Sequence, residues 1–195
     1  MELQRIAIFA SGSGTNAQNI IEYFSENEFV VIDSLWSNNS NAYALERAKK
    51  LGVETFVFTR DEYRNTNFVV EELQKRKVSL VVLAGFLWLI PLNLIRNFRI
   101  INIHPALLPK YGGKGMYGMN VHQAVVDNKD TMSGISIHYV NEKYDEGEII
   151  FQARCPVSPT DSPEDVAAKV HELEYKYFPE VIEKVLFDRN FSSAG

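Results

Sequence analysis

The stretch "RIAIFASGSGTNAQNIIEYF", residues 5–24, carries two periodicities joined by two glycines. Residues 5–10, "RIAIFA", form a short apolar run with β-branched members, the pattern of a strand buried on both faces. Ala17, Ile20, Ile21 and Phe24 then recur at i, i+3, i+4 and i+7, one face of a helix. A strand that passes through Ser-Gly-Ser-Gly straight into a helix is the opening unit of an α/β sheet. The pattern repeats downstream. "FVVIDSLWS" (29–37), "VETFVF" (53–58), "SLVVLAG" (79–85) and "RIINIH" (99–104) read as strands. Between them lie helical segments: "NAYALERAKKLG", which stops at Gly52 with Lys49 and Lys50 in its last turn, then 66–77, then a short one after Pro91. Strand and helix in strict alternation predict a mostly parallel sheet with helices on both faces.

The last third changes character. "GISIHYV" (134–140) and "GEIIFQARCPV" (147–157) are separated only by "NEKYDE". That gap is too short for a helical crossover, so the two strands are expected to be antiparallel. A long helix follows in "DSPEDVAAKVHELEYKYFPEVIEKVLF". Ser162 is its expected N-cap, Pro163 its first residue, and Asp165 stands three on from the cap. Val166, Val170, Leu173 and Tyr177 make its expected apolar stripe, and Pro179 is expected to kink or divide it. The tail "SSAG" (192–195) is expected to fray. With no internal repeat or linker, 1–195 reads as one domain.

Composition narrows the partners. The 195 residues are 46% hydrophobic and 23% charged, with a net charge of −5. Lys and Arg are scattered, so neither nucleic acid nor a membrane is expected as a partner. The lone cysteine, Cys155, precludes an intrachain disulfide and fits a reducing compartment. The longest apolar run, "VSLVVLAGFLWLIP", is broken by Gly85 and stopped by Pro91, too short to span a bilayer. "MELQRIAIFASGSG" lacks the features of a signal peptide, and the expectation is a cytoplasmic protein.

Three places carry chemistry. In the first loop, Gly12, Ser13, Gly14, Thr15 and Asn16 lead into a helix whose first N–H groups lack internal partners, a geometry that holds phosphate. Gly12-x-Gly14-x-x-Ala17 also fits a degenerate dinucleotide fingerprint, but the second strand ends in "LWSNNSN" rather than on an acid, and Asp33 lies mid-strand. A dinucleotide is therefore disfavoured. The bland reading is a tight turn with Asn16 as helix cap. In "RIINIH", Asn102 and His104 stand two apart and share one strand face, with Ile101 and Ile103 on the other; Pro105 fixes the exit. An amide donor beside an imidazole can hold a carbonyl oxygen and move a proton, although both residues could merely satisfy backbone groups where the sheet ends. Asp145, in the turn before Gly147, would raise the pKa of a nearby His104; its bland reading is turn chemistry.

Other residues give weaker signals. His138 shares a strand face with Ser136 and is placed to face a cleft, His122 opens a helix, and His171 is expected in solvent. No spacing of these residues suggests a metal site. "AGFLWLIP" supplies Phe86, Leu87, Trp88, Leu89 and Ile90 just past a strand end, either core or the wall of a site for a flat aromatic ligand.

"ASGSGTN", "VVLAGFLWLI", "NIHPALLPKYGG", "SGISIHYV" and "YDEGEII" occur in the order found in the glycinamide ribonucleotide formyltransferases, folate-dependent enzymes of purine biosynthesis, and the chain resembles that family over roughly residues 5 to 187. The resemblance implies an α/β, Rossmann-like formyltransferase fold, with a phosphate-binding half (about 1–100) and a folate and catalytic half (about 101–195). It implies transfer of a formyl group from 10-formyltetrahydrofolate to the amine of 5′-phosphoribosylglycinamide, by a monomer or homodimer and without a metal. Asn102, His104 and Asp145 match the family's catalytic trio, with protonated His104 and Asn102 steadying the oxyanion and Asp145 orienting His104. Gly12, Ser13, Gly14, Thr15 and Asn16 would hold the phosphate and Glu174 the ribose or glycinamide. Phe86 to Ile90, with Val140 and Asn141 to Asp145, would line the pterin pocket. The chain departs from the family pattern in two places. "KYGGKGMYGMNVH" is several residues longer than the usual turn and reads as a flexible cover. The phosphate-gripping Arg has no clean match, leaving Arg60, Arg64 or Lys114. A formyltetrahydrofolate deformylase or a tRNA formyltransferase would carry a further domain. A phosphate-binding module without catalysis would leave Asn102, His104 and Asp145 without a role.

Overall fold

The computed structural model describes residues 2–187; the expectation that 192–195 fray lies outside them. The strands are β1 Gln4–Phe9, β2 Val30–Ser37, β3 Glu54–Val57, β4 Leu80–Leu83, β5 Ile100–His104, β6 Met132–Tyr139 and β7 Ile149–Pro156. The helices are α1 Thr15–Phe24, α2 Tyr43–Lys50, α3 Arg60–Arg64, α4 Phe68–Lys75, α5 Leu92–Asn97, α6 Met119–Asp127 and α7 Pro163–Phe187. They surround a seven-stranded sheet of order β3-β2-β1-β4-β5-β6-β7. The chain divides into two compact units, Met1–Asn102 and Ile103–Gly195, with β5 crossing the boundary.

In the first unit every strand pairing is parallel. β1 and β4 are central, and from Ile6 to Phe9 and Leu80 to Leu83 they are buried throughout, which explains their unbroken apolar runs. α1 buries Ala17, Ile20, Ile21 and Phe24, the stripe its sequence predicts. Asp33 sits at an irregularity, where Ile6 pairs with Ile32 but Ala7 pairs with Ser34. Its carboxylate takes hydrogen bonds from Arg5 Nη1 at 3.0 Å and Arg76 Nη1 at 3.2 Å. Two arginines of the same unit thus balance the charge of this acid. Ser11 fastens three loops: its N–H donates to Gly85 O at 3.0 Å, its Oγ donates to Asn38 Oδ1 at 2.7 Å, and Oγ accepts from Leu87 N–H at 3.0 Å.

The helix expected over 66–77 forms as α4, and the sequence reading missed a second, shorter one. α3 precedes α4, opened by a capping box in which Thr59 and Glu62 bond reciprocally. Five residues are too few to show an apolar period.

In the second unit β6 and β7 are antiparallel, as the short connection requires. Gly147 lets the hairpin close, because a Cβ there would stand 1.6 Å from Tyr139 O. α7 begins as its cap signals predict: Ser162 Oγ accepts from Asp165 N–H at 3.2 Å, and Asp165 accepts from Ser162 N–H at 2.8 Å. Pro179 does not divide α7, which runs through it to Phe187. The stripe also differs from expectation. Val166 and Val170 are buried, but Glu174 and Phe178 then take the inner positions rather than Leu173 and Tyr177. A buried carboxylate in the stripe has no apolar signature.

Candidate active site

His104 ends β5 and is 4% exposed. The chain beyond it is pinned by Ser136 of β6, whose Oγ accepts from Leu108 N–H at 2.9 Å and donates to Ala106 O at 2.7 Å. The imidazole is therefore held on a fixed strand end. Its Nε2 donates to Tyr111 O at 2.7 Å. A carbonyl only accepts, so the proton on Nε2 is fixed and Nδ1 is the nitrogen free to gain or lose one. Nδ1 faces Asp145 Oδ2 at 3.6 Å.

Asp145 adopts φ 56, a left-handed conformation that Asp tolerates better than most residues. This turns its carboxylate inward. Oδ1 lies 3.6 Å from His138 Nε2, and Oδ2 accepts from Gly113 N–H at 2.9 Å. His138 is oriented by its own Nδ1, which donates to Tyr139 O at 2.8 Å. His138, Asp145 and His104 thus form one row, the two imidazoles buried and the aspartate half-buried.

Burial is the largest influence on the His104 imidazole and pushes its pKa down; Asp145 and the Tyr111 carbonyl oppose it without prevailing. The expected rise beside Asp145 does not occur, and the neutral imidazole is favoured near neutral pH. Burial acts on Asp145 too, upward. There the His138 hydrogen bond, the His104 charge and the Gly113 N–H together overcome it and hold the carboxyl below its usual range.

Asn102 lies two residues before His104 on β5, half-buried and paired in register with Leu83. It shares the His104 face by strand alternation.

The first loop takes an open shape. Gly14 is the N-cap of α1 at φ 74, and no side chain caps the helix. Asn16 is not the cap, and α1 opens on Gly14 without a capping side chain. A Cβ on Gly14 would lie 2.5 Å from Ala44 Cα, whereas at Gly12 nothing stands within 4 Å. Arg47 of α2 escaped the sequence reading. Its Nε donates to Ser13 O at 2.9 Å, its Nη1 bonds Gln18 Oε1, and its guanidinium lies over the Tyr43 ring. This cation is locked beside the loop, yet in sequence it looks like an ordinary helix-end charge. Arg60, Arg64 and Lys114 are all exposed.

The segment after β4 splits. Phe86 packs edge-on against Phe9, 5.4 Å between ring centroids, and Ile90 is buried, so both belong to the core. Leu87 is 47% exposed, and Trp88 and Leu89 are half-buried. Val140 and Asn141 are also half-buried, and Asn141 Oδ1 accepts from Lys143 N–H at 2.9 Å.

Glu174 is 5% exposed, and its Oε2 takes a hydrogen bond at 2.8 Å from His171 Nδ1. That hydrogen bond is the main cause raising the His171 pKa. His171 is exposed as expected but engaged. Among the described residues no group of three or more His, Cys, Asp and Glu could hold a metal ion, and no helix is long and apolar enough to cross a membrane.

An imidazole of fixed tautomer facing an ionised carboxylate can steady charge on a carbonyl oxygen and relay a proton, the two needs of an acyl-group transferase. Comparison with known proteins places the chain in a family. Residues 4–182 match the family model described as "Formyl transferase". A phosphoribosylglycinamide formyltransferase of Haemophilus influenzae is 37% identical over 187 residues, covering 92% of this chain and 86% of that protein. The chloroplastic enzyme of that name from Arabidopsis thaliana is 39% identical over 95% of this chain, and the chain spans 66% of its length. The crystal structure of phosphoribosylglycinamide formyltransferase from Anaplasma phagocytophilum superimposes with a TM-score of 0.85 at 31% identity, covering 96% of this chain and 89% of that one. The chain belongs to the formyl transferase family, among the phosphoribosylglycinamide formyltransferases.

Proposed function

We propose that this protein transfers the formyl group of 10-formyltetrahydrofolate to the amine of 5′-phosphoribosylglycinamide. The observation that carries this reading is the pairing of buried His104, at the end of β5, with Asp145, in a chain of this family. The folate supplies a formyl carbon activated on nitrogen, and the attacking nucleophile is the amine of the other substrate. A bond forms between that amine and the formyl carbon. The bond from the carbon to the folate nitrogen breaks, and one proton passes from the amine to that nitrogen.

Asn102 and His104 donate to the formyl oxygen as negative charge gathers there. Tyr111 O holds the one proton of the neutral imidazole on Nε2, so the proton that His104 offers to the formyl oxygen is first taken up from solvent on Nδ1. His104 is largely neutral before reaction, and the developing oxyanion would favour its cationic form. Asp145, ionised and facing Nδ1, stabilises that cation and accepts the amine proton on its way to the folate. Gly12 to Asn16 at the open start of α1 take the phosphate, with Arg47 alongside. Glu174 contacts the ribose or the glycinamide. Leu87, Trp88 and Leu89, rather than Phe86 and Ile90, offer apolar surface to the pterin. We place the protein in the cytoplasm, as a single functional domain acting alone or as a homodimer.

The test supplies purified protein with 10-formyltetrahydrofolate and follows folate product with and without phosphoribosylglycinamide. Product formation that depends on the amine supports the transferase. Turnover unchanged when the amine is omitted would replace it with a hydrolase.

A further inference from the structure

The segment Lys110–Gly113 runs past both members of the catalytic pair. Tyr111 O accepts from His104 Nε2 at 2.7 Å, and two residues on, Gly113 N–H donates to Asp145 Oδ2 at 2.9 Å. One short strap therefore sets the tautomer of the imidazole and supplies a donor to the carboxylate. Its shape is costly. Tyr111 has φ 56, in the left-handed region, where a bulky residue carries strain of about 1 kcal/mol or more. Gly112 has little room, since a Cβ there would stand 2.7 Å from Leu108 Cδ2 and 3.3 Å from Asp145 Cβ.

Something must hold this strap in place, and packing does so incompletely. A cavity of about 220 Å³ lies along Lys110 and Tyr111, lined also by Val125, Asp130 and Ser133. The hold comes from Asp130, in the connection between α6 and β6. Its Oδ2 accepts from Tyr111 Oη at 2.8 Å. Lys110 Nζ donates to Oδ1 at 2.7 Å and to Oδ2 at 2.6 Å. Asp130 is itself anchored, its N–H donating to Val125 O at 3.1 Å.

We propose that Asp130 is a positioning residue for formyl transfer: by gripping Lys110 and Tyr111 it keeps the Tyr111 carbonyl on His104 Nε2 and the Gly113 N–H on Asp145. This rests on the roles given above to His104 and Asp145. Orientation of such a pair must hold to within about 0.5 Å and 10–20°, and the hydrogen bond to Tyr111 O fixes the imidazole tautomer. Asp130 touches no reacting atom. Its contribution passes through a backbone carbonyl and a backbone N–H.

The experiment compares the full chain with Asp130→Ala, Asp130→Asn and Tyr111→Phe. One readout is the His104 Nε2–H resonance in protein labelled with 15N-histidine, and the other is kcat against KM for each substrate. In the unaltered chain the Nε2–H signal is shifted downfield and exchanges slowly. Asp130→Ala loses that signal and about ten-fold in kcat, with both KM values within about two-fold, the pattern of a disoriented catalytic group. Tyr111→Phe, which removes a single oxygen, loses about three-fold. Asp130→Asn keeps an acceptor for Tyr111 Oη and recovers most of the rate. A lowered melting temperature with kcat and the Nε2–H signal unchanged would overturn the proposal and leave Asp130 a structural staple. If Asp130→Ala fails to fold, Tyr111→Phe decides by the same two readouts. If the unaltered chain transfers no formyl group, the functional reading falls, while the Nε2–H comparison still decides whether Asp130 positions His104.

Discussion

Gly12 and Gly14 stand two residues apart in one loop, and alanine at each separates two reasons for being glycine. At Gly14 the backbone has φ 74. A residue with a Cβ pays about 1–2 kcal/mol in that conformation. The new Cβ would also lie 2.5 Å from Cα and Cβ of Ala44. One of those atoms is backbone, so the start of α2 must move, at about 1–3 kcal/mol. The sum is about 2–5 kcal/mol, and in a chain of this length each kcal/mol lowers the melting temperature by about 2–4 °C. Gly14→Ala should therefore melt about 4–20 °C below the parent. At Gly12 the added Cβ meets nothing within 4 Å, so Gly12→Ala should keep its stability to within about 0.5 kcal/mol. Its methyl group would stand in the open space assigned to the phosphate, and KM for phosphoribosylglycinamide should rise about ten-fold or more, a loss of about 1.4 kcal/mol or more. Calorimetry without ligand, followed by steady-state kinetics with each substrate varied, reads both effects. Equal melting temperatures for the two variants would refute the steric account of Gly14. An unchanged KM in Gly12→Ala would refute the placing of the phosphate.

Three further outcomes are expected. His104→Ala should lose about 10²–10⁴ in kcat while calorimetric affinity for the phosphorylated substrate stays near that of the parent; full activity would refute the proposed mechanism. His104 and His122 are both pushed by burial below the ordinary histidine pKa of 6.5, so below pH 6.5 the unfolded chain binds more protons than the folded one. Their stabilising contribution is present above pH 6.5 and is lost as pH falls towards the folded values. His171, raised by Glu174, contributes in the opposite sense in this window, so the clean readout is the difference between chains: His122→Asn should lose less melting temperature than the parent between pH 7.5 and 5.5, and an equal loss would count against a buried neutral imidazole. Gly147→Ala places a Cβ 1.6 Å from Tyr139 O and should cost about 3 kcal/mol or more in a denaturant titration; a variant within about 1 kcal/mol of the parent would mean the hairpin closes differently.

Elements with a strong period or a strong punctuation mark were legible from sequence. The buried strands, the α1 stripe, the antiparallel β6–β7 pair and the Ser162 cap all follow from local residue choice. Failures occurred where three-dimensional context overrides the local pattern. α3 is too short to have a period, and only Thr59 and Glu62 announce it. The α7 stripe turns aside after Val170 because the fold buries Glu174. In the candidate site, side chains at strand ends could be read, and Asn102, His104 and Asp145 lie where strand alternation and the turn place them. The groups that tune them could not. Tyr111 contributes a carbonyl and Gly113 an N–H, and every residue type but proline offers both. The segment "KYGGKGMYG" read as a loose cover for the same reason: its glycines were visible, while the hydrogen bonds holding its first residues were not. The net direction of the His104 pKa likewise depends on burial, which has no local signature.

Ser11 has a bearing on how this chain can vary. One small side chain ties the first residues of the loops that follow β1, β2 and β4 to a common point. Insertions further along any one of these loops begin from a fixed origin, so a change in length there need not displace the other two. The three loops can thus be altered independently while the strand ends stay in register. Two of these ties pass through the hydroxyl, and a residue that lacks it at position 11 would keep only the backbone bond to Gly85 O.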